Sequence, residues 1–278
     1  MRKLLSLVLA LVAFSASAQS IKIGHAGITA HDVILRKLTA GSDTVVVSLP
    51  GAKGAVAFDA LEQQKVDALA VSAGTVFANH VLYPTVLRFD PMERFRFVSI
   101  LSSADAVVVM PKKYPTIDAL AEQKCVPGQV VFVASIGGVD LSVVREALKP
   151  HKCAIEEVLY SNHNASLLDV AAERVDITSL AAVGATKYSD RTTVVSLRGH
   201  KNELLGKFSY DTFLLVRKDT PDSAVRQILS ALQNGASDTD WQRALGVSVR
   251  LATGNAAHSE AAVLGQTYKK LLTATEGK

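Results

Sequence analysis

Apolar residues along this chain fall into short continuous runs, each followed by a stretch with helical spacing. Val130 to Ala134 is the clearest run, continuous and rich in β-branched residues, and reads as a buried strand of a parallel sheet. Ser135, Gly137 and Gly138 interrupt it. From Asp140 onward Leu141, Val144, Ala147 and Leu148 recur three and four apart, as on one face of an amphipathic helix. In a strand–glycine turn–helix unit the backbone N–H groups of the turn converge beside the positive end of a helix dipole, where an anion fits.

A second copy of the unit begins the chain after its apolar leader. Ile21 to Ile23 predicts a strand, Gly24 to Ala30 a glycine-bearing loop, and Asp32 to Leu38 a helix. The echo continues, because Asp32 precedes Asp67 of Lys65-Val66-Asp67 by almost the interval that separates Asp140 from Asp176 of Arg174-Val175-Asp176. Between them lie a further strand, Thr44 to Ser48 or Ile155 to Tyr160, and a further helix. Each copy closes on an apolar strand carrying a serine, Ser72 or Ser179. The pattern predicts two lobes of one strand-helix-strand-helix-strand plan. Open α/β sheets bind ligands beyond the carboxyl ends of their strands, so the cleft between the lobes is the expected site.

Between the copies, Phe77 to Ile100 reads as loops and short helical turns, and Ala106 to Met110 as a strand crossing into the second lobe. Phe208 to Val216 reads as the return crossing. Helices over 223–233 and 259–272 are expected to pack on the first lobe. The boundaries that follow are 1–18 for a signal segment, 19–105 with 207–278 for one lobe, and 106–206 for the other. Two crossings make a hinge, and lobes that close over a ligand shield it from water.

Arg2 and Lys3, the apolar run Leu4 to Phe14 and Ala16-Ser17-Ala18 form a secretory signal with Gln19 as the mature start. The run is too short for an ordinary membrane span, and no cysteine follows it to carry a lipid. The expected product is exported, periplasmic and not membrane-inserted. Without Arg2 and Lys3 the formal charge falls from +4 to +2, with basic residues scattered and aromatics at 6%, which argues against nucleic acid as a partner. Cys125 and Cys153 each stand just before an expected strand, on the rim away from the cleft. In an oxidising compartment that predicts a disulfide, the alternative being two buried thiols.

Asp32 and Asp140 both lie at helix starts, where a carboxylate caps free N–H groups; recognition of a ligand ammonium group is the other use open to them. His25, His31 and His163 fall in cleft loops without metal-ligand spacing, so no metal is expected, and contact with a carboxylate is their more natural use. Ser72 and Ser135 follow strands as a nucleophile would, yet the chain has no GxSxG elbow and no phosphate-binding GxxxxGK[ST] loop. The expectation is a binding protein rather than an enzyme, with no cofactor.

The chain resembles the Bug-type substrate-binding proteins of the tripartite tricarboxylate transporter system. The resemblance runs from Gly27 to the helix after Pro221. It rests on Asp32-Val33-x-x-Arg36 after a glycine loop, Pro50-Gly51-Ala52-Lys53-Gly54 after a valine strand, and Asn79-x-x-Leu82-Tyr83 followed by Phe89-Asp90-Pro91 and Phe95. Ala134-Ser135 with Gly137, and Tyr160 with Leu167, Asp169 and Val175-Asp176, complete it.

The resemblance implies a type II periplasmic-binding-protein fold, each lobe a mostly parallel sheet flanked by helices. It also implies a small carboxylate ligand held by loop backbone and hydroxyl groups without an arginine clamp, and a transporter permease as membrane partner. A monomer is the default. An amino-acid-binding variant, or a sensor with the same cleft, are the alternatives. Loops and resemblance together give Gly27, Thr29, Asp32, Ser72, Gly74, Thr75, Ser135, Gly137, Gly138, Asn162 and Ser179 as ligand-binding positions. The chain departs from the family in its first loop, where Gly27 stands without a second glycine, at Lys53, where the turn usually carries glycine, and at Asp140.

Overall fold

The computed structural model of the chain describes residues 20–276 apart from 28, 246 and 252–254; the expected signal segment lies outside the described residues. The first half comprises β1 (Ile21–His25), α1 (Thr29–Leu38), β2 (Thr44–Ser48), α2 (Ala55–Glu62), β3 (Ala68–Ser72), the short α3 (Asn79–Leu82) and α4 (Pro91–Arg94), and the long β4 (Phe95–Pro111). Next come α5 (Ile117–Lys124), β5 (Val131–Ser135), α6 (Gly138–Leu148), β6 (Ile155–Leu159), α7 (His163–Ala171), β7 (Ile177–Ala181), α8 (Ala182–Ala185) and β8 (Thr192–Ser196). The chain closes with α9 (Glu203–Gly206), β9 (Ser209–Arg217), α10 (Asp222–Ala236), α11 (Thr239–Leu245), β10 (Ser248–Arg250) and α12 (Asn255–Glu276).

The strands form one curled, mixed sheet in the order β2-β1-β3-β9-β4-β7-β5-β6, with β8 and β10 also paired to β4. β1, β2 and β3 are parallel, as are β5, β6 and β7. β4 is common to both sets. It pairs with β9 as far as Asp105, then with β7 and β8 from Ala106 onward. The sequence suggested an irregular segment up to Ile100; the strand instead starts at Phe95, because Phe95, Phe97 and Ile100 point into the core between β9 partners. β9, expected as the return crossing, pairs with β3 and with the part of β4 up to Asp105.

The repeat seen in the sequence is structural. Asp67 N–H donates to Lys22 O (2.8 Å) and its Oδ2 accepts Lys22 N–H (2.8 Å). Asp176 makes the same reciprocal pair with Phe132, at 2.9 Å in both directions. Ahead of each aspartate the helix ends in a left-handed residue, Gln64 or Glu173, both at φ 58°. The following N–H, of Lys65 or Arg174, returns to the carbonyl of Ala60 or Asp169 at 2.9 Å, an ending that satisfies carbonyls left free by the last turn.

One core lies on a face shared by both halves and takes in Phe58, Phe95, Val133 and Val144 together with Ala261, Leu264, Tyr268 and Leu271 of α12. α12 was expected against the first lobe. Its buried stripe, spaced three and four apart, packs on β4 and on α6 and α9 of the second half as well. Opposite faces of the sheet are covered separately, by α1 and α10 with Trp241 in one half and by α7 in the other. Cys125 and Cys153 are joined in a disulfide, Cα atoms 4.4 Å apart, and neither borders the cleft described next.

Candidate functional site

The loops after all six parallel strands open into one cleft of about 940 Å³, a volume ordinary for small-molecule sites. From the first half come Gly27 after β1, Gly51 to Gly54 after β2, and Ser72, Gly74 and Thr75 after β3. From the second come Ile136 to Gly138 after β5, Ser161 to Asn164 after β6, and Ala181, Val183 and Gly184 after β7. Ser102 and Ala104 of β4 and Tyr210 to Thr212 of β9 lie between the two sides.

The first side is packed tightly enough to fix its backbone. Gly27 has φ 80°, and a Cβ there would sit 2.6 Å from Pro50 Cβ, so only glycine lets the two loops touch. Gly54 presses on the other neighbour, since a Cβ would lie 2.5 Å from Thr75 Cγ2. Ser72 Oγ accepts Thr75 N–H (3.2 Å) and bonds its hydroxyl (3.0 Å). His31 lines the cleft at only 4% exposure, its Nε2 3.2 Å from Thr212 Oγ1 and its Nδ1 without a partner. Burial, with His25 nearby, lowers its pKa to about 3, so the ring is neutral at physiological pH. The sequence suggested that this histidine could contact a carboxylate as a titrating group; buried, it can offer only a neutral ring.

The second side is organised by Asp140, buried at 3% exposure in the first turn of α6. Its Oδ2 accepts Ile136 N–H (3.1 Å) and lies 3.2 Å from His163 Nε2, while Oδ1 accepts the Tyr210 hydroxyl (3.0 Å). The carboxylate thus clasps the turn ahead of its own helix and is held by two further groups, one of them on β9. Burial first, then the Asp140 charge, pushes the Tyr210 phenol well above its usual pKa, keeping it a donor. Asn162 caps α7, its Oδ1 accepting Ala165 N–H (3.0 Å). Asp211 lines the cleft too; burial raises its pKa against the opposing bond from Ser103 Oγ at 2.5 Å.

Of the expected positions, Gly27, Ser72, Gly74, Thr75, Gly137, Gly138 and Asn162 border the cleft, and Thr29 opens α1; the Thr29 side chain lies outside the described residues. Asp32, Ser135 and Ser179 do not border it. Asp32 is drawn back along α1, its Oδ2 accepting Arg36 Nε–H at 2.9 Å and its Oδ1 3.5 Å from His25 Nε2; the bond from Arg36 holds the carboxyl below its usual range. Ser135, fully buried, donates to Glu157 across the β5–β6 pair. Ser179 is buried in β7, 3.3 Å from the Tyr210 hydroxyl, behind the cleft wall.

Tyr210, Asp211 and Thr212 line the cleft without having been singled out, and Asn79 and Tyr83, noted in the resemblance, line it without having been named as ligand-binding positions. The polar run Ser209-Tyr210-Asp211-Thr212 ahead of the apolar Phe213 to Val216 was the available signal. A strand that is polar only at its start has that start at a surface.

No family model matches the chain, and no curated protein matches it. Solved structures do. MatC from Rhodopseudomonas palustris with bound malate is 16% identical, with a TM-score of 0.66 over 92% of this chain and 97% of that one. The R. palustris protein Rpa4515 with adipate is 13% identical, with a TM-score of 0.73 over 91% and 96%. The periplasmic binding protein BugD is 15% identical, with a TM-score of 0.67 over 92% and 96%. At such identities the likeness speaks of architecture: the chain has the two-lobed α/β fold of the Bug- and TctC-type periplasmic binding proteins.

Proposed function

We propose that this chain is a periplasmic solute-binding protein that captures a small carboxylate in its cleft and passes it to the permease of a tripartite tricarboxylate transporter. The reading takes residues 19–105 with 207–278 as one lobe, 106–206 as the other, and 1–18 as a removed signal. One observation carries it: six loops at the carboxyl ends of parallel strands meet in a single cleft furnished with backbone N–H groups, hydroxyls and amides. Asp140, the carboxylate that would oppose an anionic ligand, is already turned to Ile136, His163 and Tyr210. No described helix is long and apolar enough to cross a membrane, which fits an exported protein that hands its ligand to a separate partner. The carboxylate ligands of two similar structures, malate and adipate, support the ligand class.

A thermal-shift screen of residues 19–278 against mono-, di- and tricarboxylates and amino acids, with phosphate and sulfate as controls, tests the proposal. At 100 times its dissociation constant a ligand stabilises the closed form by about 2.7 kcal/mol, a rise in Tm on the order of 5 °C. A carboxylate that produces this rise while sulfate does not supports the reading. Silence across every carboxylate refutes it.

A further inference from the structure

Lys53 is the one lysine or arginine that lines the cleft among the described residues, and it enters no ion pair there, although its side chain is exposed. Its nearest charge-sensitive neighbour is a ring: Nζ sits 4.9 Å from the centroid of Tyr83, itself a cleft residue. The backbone around it is unusual. Gly51, Ala52, Lys53 and Gly54 all have positive φ, at 127°, 44°, 54° and 96°. Glycine takes such angles freely, whereas a lysine there is strained. The strain is held in place from both sides, by Asn79 Nδ2–H donating to Lys53 O (2.8 Å) and by Gly54 packed on Thr75. A rigid, disfavoured backbone therefore carries a free, flexible cation to the edge of the cleft, and a strained residue kept at a site is a pointer to its use.

The rest of the cleft defines what that cation meets. Its other ionisable groups are spoken for or neutral: Asp140 is triply bonded, His163 rests against it, His31 is kept neutral by burial, and Asp211 is bonded to Ser103. A first carboxylate can be held by neutral donors of the loops. A second has Lys53 alone. We propose that Lys53 is a specificity-determining residue that selects ligands with two anionic groups over otherwise identical ligands with one. This rests on the carboxylate reading above.

The test uses straight-chain diacids from malonate to adipate, each paired with its monoamide, titrated calorimetrically into the wild type, Lys53→Met and Lys53→Gly. Methionine keeps the alkyl stem against Tyr83 and removes the charge; glycine also removes the backbone strain, so that variant melts no lower than the wild type without ligand. The wild type is expected to bind the best diacid about fivefold tighter than its monoamide at low salt, as befits a solvent-exposed ion pair. In both variants the ratio falls to about one, and in the wild type it shrinks as salt rises. A ratio that stays at its wild-type value in both variants, or a wild type that favours the monoamide, overturns the role of Lys53 while leaving carboxylate binding intact. Binding of neither member of any pair overturns the carboxylate reading, and the selectivity with it.

Discussion

Replacing His31 by glutamine should flatten the acid limb of the protein's stability profile. His31 is 4% exposed, and burial depresses its pKa from 6.5 to about 3. A histidine with a depressed folded-state pKa binds its proton more readily when unfolded. Its contribution is thus fully present above pH 6.5 and is lost as pH falls toward 3. Within that window the loss approaches about 1.4 kcal/mol per pH unit. Integrated from about pH 7 to about pH 4.5 it amounts to roughly 2.5 kcal/mol, a shift in urea midpoint on the order of 1 M for a domain of this size. The glutamine can still bond Thr212 but carries no titrating group, so it removes this slope and adds only a constant offset. His25, also depressed by burial and partly restored by Asp32, stays in both proteins and largely cancels in the comparison. Urea unfolding followed by circular dichroism across this range, in buffers without carboxylates, measures the effect. Wild-type and variant curves that remain parallel from neutral to acidic pH would refute the claim that a buried, neutral imidazole lines the cleft.

Three further outcomes follow from the geometry. Asp140→Asn and Tyr210→Phe should each cost about 1–2 kcal/mol, and the double variant should show a coupling of about 1 kcal/mol in a urea-unfolding cycle, because the 3.0 Å bond joins them directly; strictly additive losses would contradict that bond. Gly27→Ala should destabilise by about 2 kcal/mol or more, read as a lowered Tm, since the new methyl meets Pro50 at 2.6 Å on a φ of 80°. Removing the disulfide with Cys125→Ala and Cys153→Ala should cost about 3–4 kcal/mol from the unfolded-state entropy of a loop with a sequence separation of 28, and a free-thiol titration of the unreduced, denatured wild type should find none.

Much of the fold was legible because it is written locally and twice. The runs at β2, β5 and β6 and the glycine turns depend on residues close in sequence, whereas the spaced aspartates are legible only because they recur: Asp67 and Asp176 each clasp the strand that opens their own copy, at Lys22 and Phe132. What was not legible depends on register across the sheet. Phe95 to Ile100 reads as irregular until β9 is laid beside it, because both faces are covered and no alternation of polar and apolar residues marks the strand. The reach of α12 across both halves is equally silent, since an apolar stripe says that a helix packs and not on what.

The same distinction decides the site. Glycines and caps such as Gly27, Gly138 and Asn162 border the cleft because a sharp turn at a strand end is a local event that also creates a surface. Charged side chains could not be placed in that way. Asp32 and Asp140 look alike in sequence, each one turn or less into a helix that follows a glycine loop. Their fates differ through their partners. Asp32 has Arg36 on its own helix, one turn on, and is drawn away from the cleft. Asp140 finds its partners at Tyr210, which only the folding of β9 against the first half brings near, and at His163 on the neighbouring helix. The residue that threatened to exclude an anion is therefore tied up by contacts distant in sequence. Lys53, whose ammonium group has the Tyr83 ring beside it and no carboxylate among the described residues, keeps its charge available, and on the proposal above the balance between these two residues sets how many negative charges the cleft can accept.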